Sequence, residues 1–297
     1  MQTRLFFTHA LSPLHAGTGQ GVGVIDLPIA REKATGIPYL PGSSIKGTLR
    51  EASASRHTEK DEQHLLVFGP DTTNAADHAG SVQISDQRLL LLPVRSLRGT
   101  FAWVTSPYLL RRFARDAQEA VLPQALKLPQ SIPAIEEEKC LVPDSPASVL
   151  VDGAQVILED LDPQVRKDAV ASQWATFLAN ALFATDKGWH DMLQQRVCIV
   201  SDNMLKFLLN TATEVIARIK LQDDTKTVQQ GGLWYEEALP TESILAGVVV
   251  SSPVSNTNRK NLRDDQVIDH ISTLTNKTLQ FGGKATVGRG ICRLVLL

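Results

Sequence analysis

At 297 residues, 43% apolar and 21% charged, the chain has the ordinary composition of a soluble globular protein able to bury one large core or two smaller ones. Cys140, Cys198 and Cys292 are odd in number and far apart, which excludes a disulfide framework and a Cys-x-x-Cys zinc site. No apolar run approaches the roughly 18 to 20 residues of a membrane span, so a cytoplasmic protein is expected. The net charge of −2 argues against a uniformly basic nucleic-acid binder, yet it averages a split chain. Residues 1–60 carry seven Lys/Arg against four Asp/Glu, residues 256–297 seven against three, and the middle about −9.

In chain order, Thr3 to Ala10 reads as a strand ended by Ser12-Pro13. Behind it Gly17, Gly19, Gly21 and Gly23 alternate with small or polar residues, a loop whose backbone can approach a ligand closely. After Val24 to Ile29 and the turn Tyr39-Leu40-Pro41-Gly42, Ser43 to Ala54 has helical spacing. Ser43 or Ser44 serves as its cap, Ile45 and Leu49 share one face, and Lys46 and Arg50 share the next. Residues 55–80 are polar and read as a surface insertion; His57, His64, His78, Asp71 and Asp77 lack the spacing of a closed zinc site. Leu89 to Pro93 and Gly99 to Thr105 read as strands, and Pro107 to Val121 as an amphipathic helix with Arg111, Arg112 and Arg115 on its solvated face. Residues 122–165 are broken by prolines and read as irregular.

Helices are expected over Asp168 to Ala184 and from a Ser201-Asp202 cap toward Ile216. Ala217 to Leu221 and Gly232 to Glu237 then form a hairpin around the charged tip Asp223-Asp224-Thr225. Ser243 to Ser251 reads as a strand, Asp264 to Asn276 as a helix, and Ile291 to Leu296 as the closing strand. Were the two ends of the chain to meet, their positive charge would make a basic surface on an acidic body, and a local patch is what steers a polyanion.

Phe281 to Gly290 reads F-G-G-K-A-T-V-G-R-G, with Lys284 and Arg289 among four glycines just before a strand. Two readings stand open: a loop whose N–H groups nest phosphate oxygens, and a tight turn that needs glycine for its geometry. A Walker A loop is excluded, since Lys284 is not followed by Ser or Thr, and Gly42 to Gly47 fails because Lys46 precedes its glycine. Gly17 to Gly23 lacks the helix that a dinucleotide fingerprint requires. A P-loop or dinucleotide enzyme is therefore disfavoured.

H-A-G-T-G, I-D-L-P-I-A-R-E, G-I-P-Y-L-P-G-S-S-I-K-G-T-L-R, L-W-Y-E-E-A-L-P and G-G-K-A-T-V-G-R-G occur in this order over nearly the whole chain. Together they resemble the RAMP family, specifically the multi-copy backbone subunit of the type III-B CRISPR (Cmr) complex. The likeness covers both ends and residues 200–250 and is weak over 55–195. It implies an α+β fold: one RAMP domain over 1–297 with a ferredoxin-like, RRM-like palm, finger insertions within about 55–195, and a β-hairpin thumb at about 217–240. It implies copies stacked in a helical array on a guide RNA beside other Cmr-complex subunits, with target RNA cut at regular intervals by a divalent-metal-dependent endoribonuclease.

By the same resemblance Asp26 is the cleavage residue. An ionised carboxylate can ligate Mg2+ or another divalent cation, or accept the proton of an attacking 2′-hydroxyl. His15 matches a family position able to polarise or protonate a phosphate oxygen. Tyr235 and Glu236 complete the site from the thumb side, with Glu237 an open alternative to Glu236. Gly17, Gly19, Ser43, Ser44, Lys46, Arg50, Gly282, Gly283, Lys284 and Arg289 are the expected RNA contacts. The competing reading is a guide-RNA scaffold in which Asp26 is structural. Aromatics are only 5% of the chain, so recognition should rest on backbone and shape rather than on stacked bases.

Overall fold

Strand β1 (Gln2–Ala10) shows no polar alternation because both its faces are covered. Phe6 and Ala10 enter one core cluster, and Leu5 and Phe7 enter the other. The structure is a computed structural model and describes residues 1–19, 21, 24–54, 62–70, 79–252 and 262–297. After β1 come β2 (Tyr39–Leu40), α1 (Gly42–Ala54), α2 (Glu62–Phe68), β3 (Val82–Ile84), β4 (Gln87–Arg95), β5 (Phe101–Thr105) and α3 (Pro107–Gln118). Next are β6 (Lys139–Pro143), β7 (Val151–Asp152), β8 (Gln155–Val156) and β9 (Gln164–Asp168), followed by α4 (Ala169–Phe183) and α5 (Lys187–Arg196). β10 (Val197–Val200) and α6 (Asp202–Thr211) lead to β11 (Glu214–Leu221) and β12 (Val228–Ala238). The chain closes with β13 (Ile244–Ser251), α7 (Asp264–Thr275), β14 (Leu279–Gln280) and β15 (Ile291–Leu296).

The heart of the large mixed sheet is the order β15-β1-β13-β4, antiparallel throughout, with Phe6 opposite Leu296 on one side and Gly247 on the other. The two ends of the chain therefore do meet, as the charge argument required. α1 lies in the connection from β1 to β4 and α7 in that from β13 to β15. Their Ile45, Leu49, Val267 and Ile271 fill the first cluster, while Leu110 and Phe113 of α3 and Trp174 and Phe177 of α4 fill the second. The sheet continues from β4 through β5, β10, β6 and β9, with β5–β10 and β6–β9 parallel. β11 and β12 form a separate two-stranded sheet. Among the described residues no helix is long and apolar enough to cross a membrane. All three cysteines are buried, and burial pushes the Cys292 thiol up to about 12.

Several expectations need correction. Within 55–80, α2 buries Leu66, Val67 and Phe68 in place of a wholly polar loop. His64 is also buried, its Nδ1 3.0 Å from Ser53 Oγ, which in turn lies 2.9 Å from His270 Nε2. His57, His78, Asp71 and Asp77 lie outside the described residues. Residues 122–165, expected to be irregular, contain β6, β7, β8 and the start of β9. All four strands are two to five residues long; β7 and β8 pair with each other only as a two-residue hairpin, and β6 gets its order from β9 and β10 farther along the chain, which leaves no local period to read. Helix α6 stops at Thr211 rather than running to Ile216, because Glu214 already pairs with Ala238 across the hairpin. Helix α5 and strand β10 had no counterpart in the sequence reading.

Candidate active site

The hairpin is built by β11 and β12 in a register that sets Ala217 opposite Tyr235, Arg218 opposite Trp234 and Ile219 opposite Leu233. The other edge of β12 is taken by incoming chain: Leu27 bridges Glu236 in parallel, and Leu14 bridges Leu239. Leu27 N–H donates to Tyr235 O at 3.1 Å and Glu237 N–H to Leu27 O at 3.0 Å. Asp26 is thereby delivered to the edge of β12, where its Oδ2 accepts the Tyr235 N–H at 2.8 Å. Its side chain stays exposed, in an open cleft of about 400 Å³ lined by Gly21, Leu27, Gly231, Leu233, Trp234 and Lys284.

Alternation along β12 puts Trp234 and Glu236 on one face and Tyr235 on the other. Glu236 is buried, and its Oε1 accepts Lys284 Nζ and Trp234 Nε1, each at 2.8 Å, while Oε2 accepts Arg218 Nε at 3.4 Å. Burial pushes this carboxyl up, but the Lys284 and Trp234 hydrogen bonds with the charges of Lys284 and Arg218 outweigh it and hold the pKa at about 2. Glu236 is thus a fixed anion that aims Lys284 at the cleft holding Asp26. Tyr235 serves Asp26 through its backbone, since its ring lies on the face away from Glu236.

Glu237 is turned the other way and is equally buried. Its Oε2 accepts Ile29 N–H at 3.0 Å, and its Oε1 accepts Arg31 Nη2 at 2.6 Å and Thr213 Oγ1 at 3.0 Å. Its carbonyl oxygen stands 2.6 Å from His15 Nδ1. A carbonyl only accepts, so Nδ1 carries the hydrogen, and Nε2 is the free lone pair in the neutral ring and a donor in the charged one. Nε2 looks onto Gly17, where a Cβ would stand 2.6 Å away. Gly282 has φ +74, and a Cβ there would meet His15 O at 2.2 Å, while Gly283 N–H donates to that oxygen at 2.9 Å. These glycines are what allow the C-terminal loop to close over His15.

The fold therefore gathers Asp26, the Tyr235 N–H, Glu236 and Lys284 at one cleft, with His15, Gly17, Gly282 and Gly283 joined to it through Glu237. Arg289 is buried, with Nε and Nη1 lacking hydrogen-bond partners among the described residues, and its main-chain N–H donates to Lys284 O at 3.3 Å. Gly19 sits in the exposed loop at φ +95. Ser43 and Ser44 are exposed on the first turn of α1, one turn before Lys46 and near Arg50. Lys46 is half-buried and donates to Val82 O at 3.2 Å; burial, then the Arg50 charge, lowers its pKa. Among the described residues no hydrogen bond ties these α1 residues to the Asp26 cleft. Trp234, Arg218, Arg31 and the hub role of Glu237 escaped the sequence reading, although strict alternation in L-W-Y-E-E-A already pairs Trp234 with Glu236.

Among the described residues no three His, Cys, Asp or Glu side chains converge as a metal cluster. Glu236 and Glu237 are spent on protein donors, so a divalent ion here would have Asp26 and substrate oxygens as its ligands. That donor set suits Mg2+, which keeps several waters and pairs one or two carboxylates with phosphate.

Residues 9–293 match the RAMP superfamily. Over 298 residues the chain is 32% identical to the CRISPR system Cmr endoribonuclease Cmr4 of Pyrococcus furiosus, covering 100% of this chain and 96% of that one. It is 24% identical over 304 residues to the CRISPR system CMR subunit Cmr4 of Saccharolobus solfataricus, covering 97% and 94%. The crystal structure of oligomeric Cmr4 from Pyrococcus furiosus superposes with a TM-score of 0.74 at 26% identity, over 100% of this chain and 98% of that one. A chain of the type III-B Cmr-beta complex bound to cognate target RNA shares the fold at a TM-score of 0.75 and 22% identity, over 100% and 97%. With the family match and the first relative both spanning nearly its full length, the chain belongs to the RAMP superfamily.

Proposed function

We propose that this chain is the repeated backbone subunit of a type III-B CRISPR ribonucleoprotein, binding guide RNA and cutting complementary target RNA as an endoribonuclease. The observation that carries this reading is Asp26: an exposed carboxylate, held by the Tyr235 N–H, in an open cleft that also holds Lys284. The full-length likeness to a Cmr endoribonuclease supports it.

The four strands β15-β1-β13-β4 with α1 and α7 are read as the ferredoxin-like, RRM-like palm, since a β-α-β-β-α-β chain gives this antiparallel order. Insertions between about 55 and 195 are the fingers, and β11–β12 is the thumb of a single domain. In the assembled complex the thumb splays one target nucleotide, relaxing the A-form geometry that resists in-line attack. Asp26 accepts the proton of the attacking 2′-hydroxyl as the 2′-oxygen bonds phosphorus and the P–O5′ bond breaks, the departing 5′-oxygen taking a proton from solvent in the open cleft. Lys284, aimed by Glu236, offsets the charge on the phosphoryl oxygens. His15, when charged, donates through Nε2 on the side of Gly17. In its alternative role Asp26 would ligate a divalent cation together with the phosphate, and that ion would supply the polarisation of the phosphoryl group. Gly17, Gly19, Gly282, Gly283 and Arg289, with Ser43, Ser44, Lys46 and Arg50 of α1, are assigned to the RNA backbone.

The test is an assembled guide-loaded complex given end-labelled complementary RNA and Mg2+. Discrete, evenly spaced products that vanish on chelation and return with the metal are expected. Intact, tightly bound target after long incubation would contradict the reading.

A further inference from the structure

Helix α3 carries a second concentration of charge. It seats Leu109, Leu110 and Phe113 in the core and turns Arg111, Arg112 and Arg115 outward. Between this face and the loop at 32–35 lies an open cleft of about 670 Å³, whose walls include Lys33, Arg88, Tyr108, Arg111, Arg112 and Arg115. Two carboxylates balance part of that charge. Glu32 accepts Arg112 Nη2 at 2.5 Å, Arg112 Nη1 at 2.8 Å and Arg88 Nε at 3.1 Å. Asp116 accepts Arg115 Nη2 at 2.8 Å and Arg88 Nη1 at 3.4 Å. Lys33 and Arg111 form no ion pair among the described residues, and Arg115 is 66% exposed.

A network that only braced the fold would balance its charges. Here five cations face two carboxylates, an excess of three positive charges in a chain whose net charge is −2 and whose middle region is its acidic part. Fixed like charges lining a concave wall concentrate a polyanion. Guanidinium forks match phosphate oxygens in pairs, which favours phosphodiesters over a diffuse acidic surface. The Tyr108 ring, 40% exposed with the Arg112 guanidinium 5.3 Å from its centroid, adds a flat wall suited to one base. Glu32 is also only six residues beyond Asp26, at most about 20 Å of extended chain. Ile29 and Arg31 between them are tied to Glu237. The strand that reaches Asp26 is therefore the strand within reach of this cleft.

We propose that the cleft between α3 and the 32–35 loop is a phosphate-binding track for the target RNA strand beside the cut. The proposal rests on the functional reading, which puts the target strand at Asp26; the salt slope and the cleavage rate are measured separately, so the failure of one is distinguishable from the failure of the other. The test uses assembled complex carrying the double substitution Arg111→Gln and Arg115→Gln, both at exposed positions. Guide content per complex is measured first, then target affinity over a range of salt. Expected are an unchanged guide content and a slope of log affinity against log salt shallower by about 1.4 for each copy of this subunit that grips the target, two phosphates at about 0.7 each. An unchanged slope overturns the proposal. So does a loss of guide with the target slope intact, which makes the guide the occupant, or a loss of another protein subunit, which makes the cleft a protein interface. If Asp26→Asn complexes cut normally, the cleavage reading fails while this slope still reports on the cleft.

Discussion

Glu237 serves three segments at once. Its carboxylate holds Ile29, Arg31 and Thr213, its N–H holds Leu27, and its carbonyl sets the His15 tautomer. Glu237→Gln keeps the shape and removes the charge facing Arg31. The expected cost is about 2 kcal/mol, below the roughly 3–5 kcal/mol of a fully buried pair because the Arg31 guanidinium is partly exposed. Cleavage should fall about ten- to a hundredfold while target affinity holds, since Asp26 and His15 shift together. Denaturant melts and single-turnover rates check both, and a rate loss matched by an equal affinity loss would remove the positioning role. The sequence could not separate Glu236 from Glu237. Alternation says that the two face opposite ways, but which face meets the cleft depends on Leu27 and Lys284, which reach β12 from more than 40 positions away in either direction.

At the scale of elements, the loop bearing Asp26 is pinned at its far end by Glu32. Arg112 hydrogen bonds, opposed by burial and helped by Thr35 and Arg88, hold the Glu32 carboxyl at about 2. A carboxyl lowered on folding adds stability that is fully present above the unfolded value of about 4.5 and lost as pH falls toward 2. Wild type should therefore exceed Glu32→Gln in melting temperature at pH 6, with the gap closing between about pH 4.5 and 2; a gap independent of pH would contradict the latch. Most elements were legible from local signals. β15 was placed to the residue, Ser201 caps α6 as expected, α4 lies within the expected Asp168–Ala184, and Ile45 and Leu49 of α1 are buried together. β6 and β9 escaped because a five-residue strand beside a proline gains its order from pairing some 25 residues away, and the end of α6 escaped because hairpin pairing, not helix propensity, decides it.

At the scale of the whole molecule, four of the five motifs, all but the one on α1, are separated along the chain yet converge because β1 lies between β13 and β15. That convergence was legible only through resemblance, since no periodicity shows which strands pair. The hairpin leaves one apolar face uncovered: Ile219 and Leu233 are each 53% exposed and Tyr235 39%, all on the side away from Glu236. A face of this kind calls for a partner. Ile219→Asp with Leu233→Asp should lower self-association in sedimentation runs while leaving the circular dichroism of the monomer unchanged. Unaltered assembly would mean that copies meet elsewhere.

The most direct test of the central claim is the single-turnover cleavage rate of assembled, guide-loaded complex carrying Asp26→Asn, at saturating target and with target affinity measured in parallel. The geometry predicts a rate at least about a hundredfold below wild type with affinity retained. Cutting at the wild-type rate would contradict it and leave this chain a guide-RNA scaffold whose Asp26 only braces the edge of the hairpin.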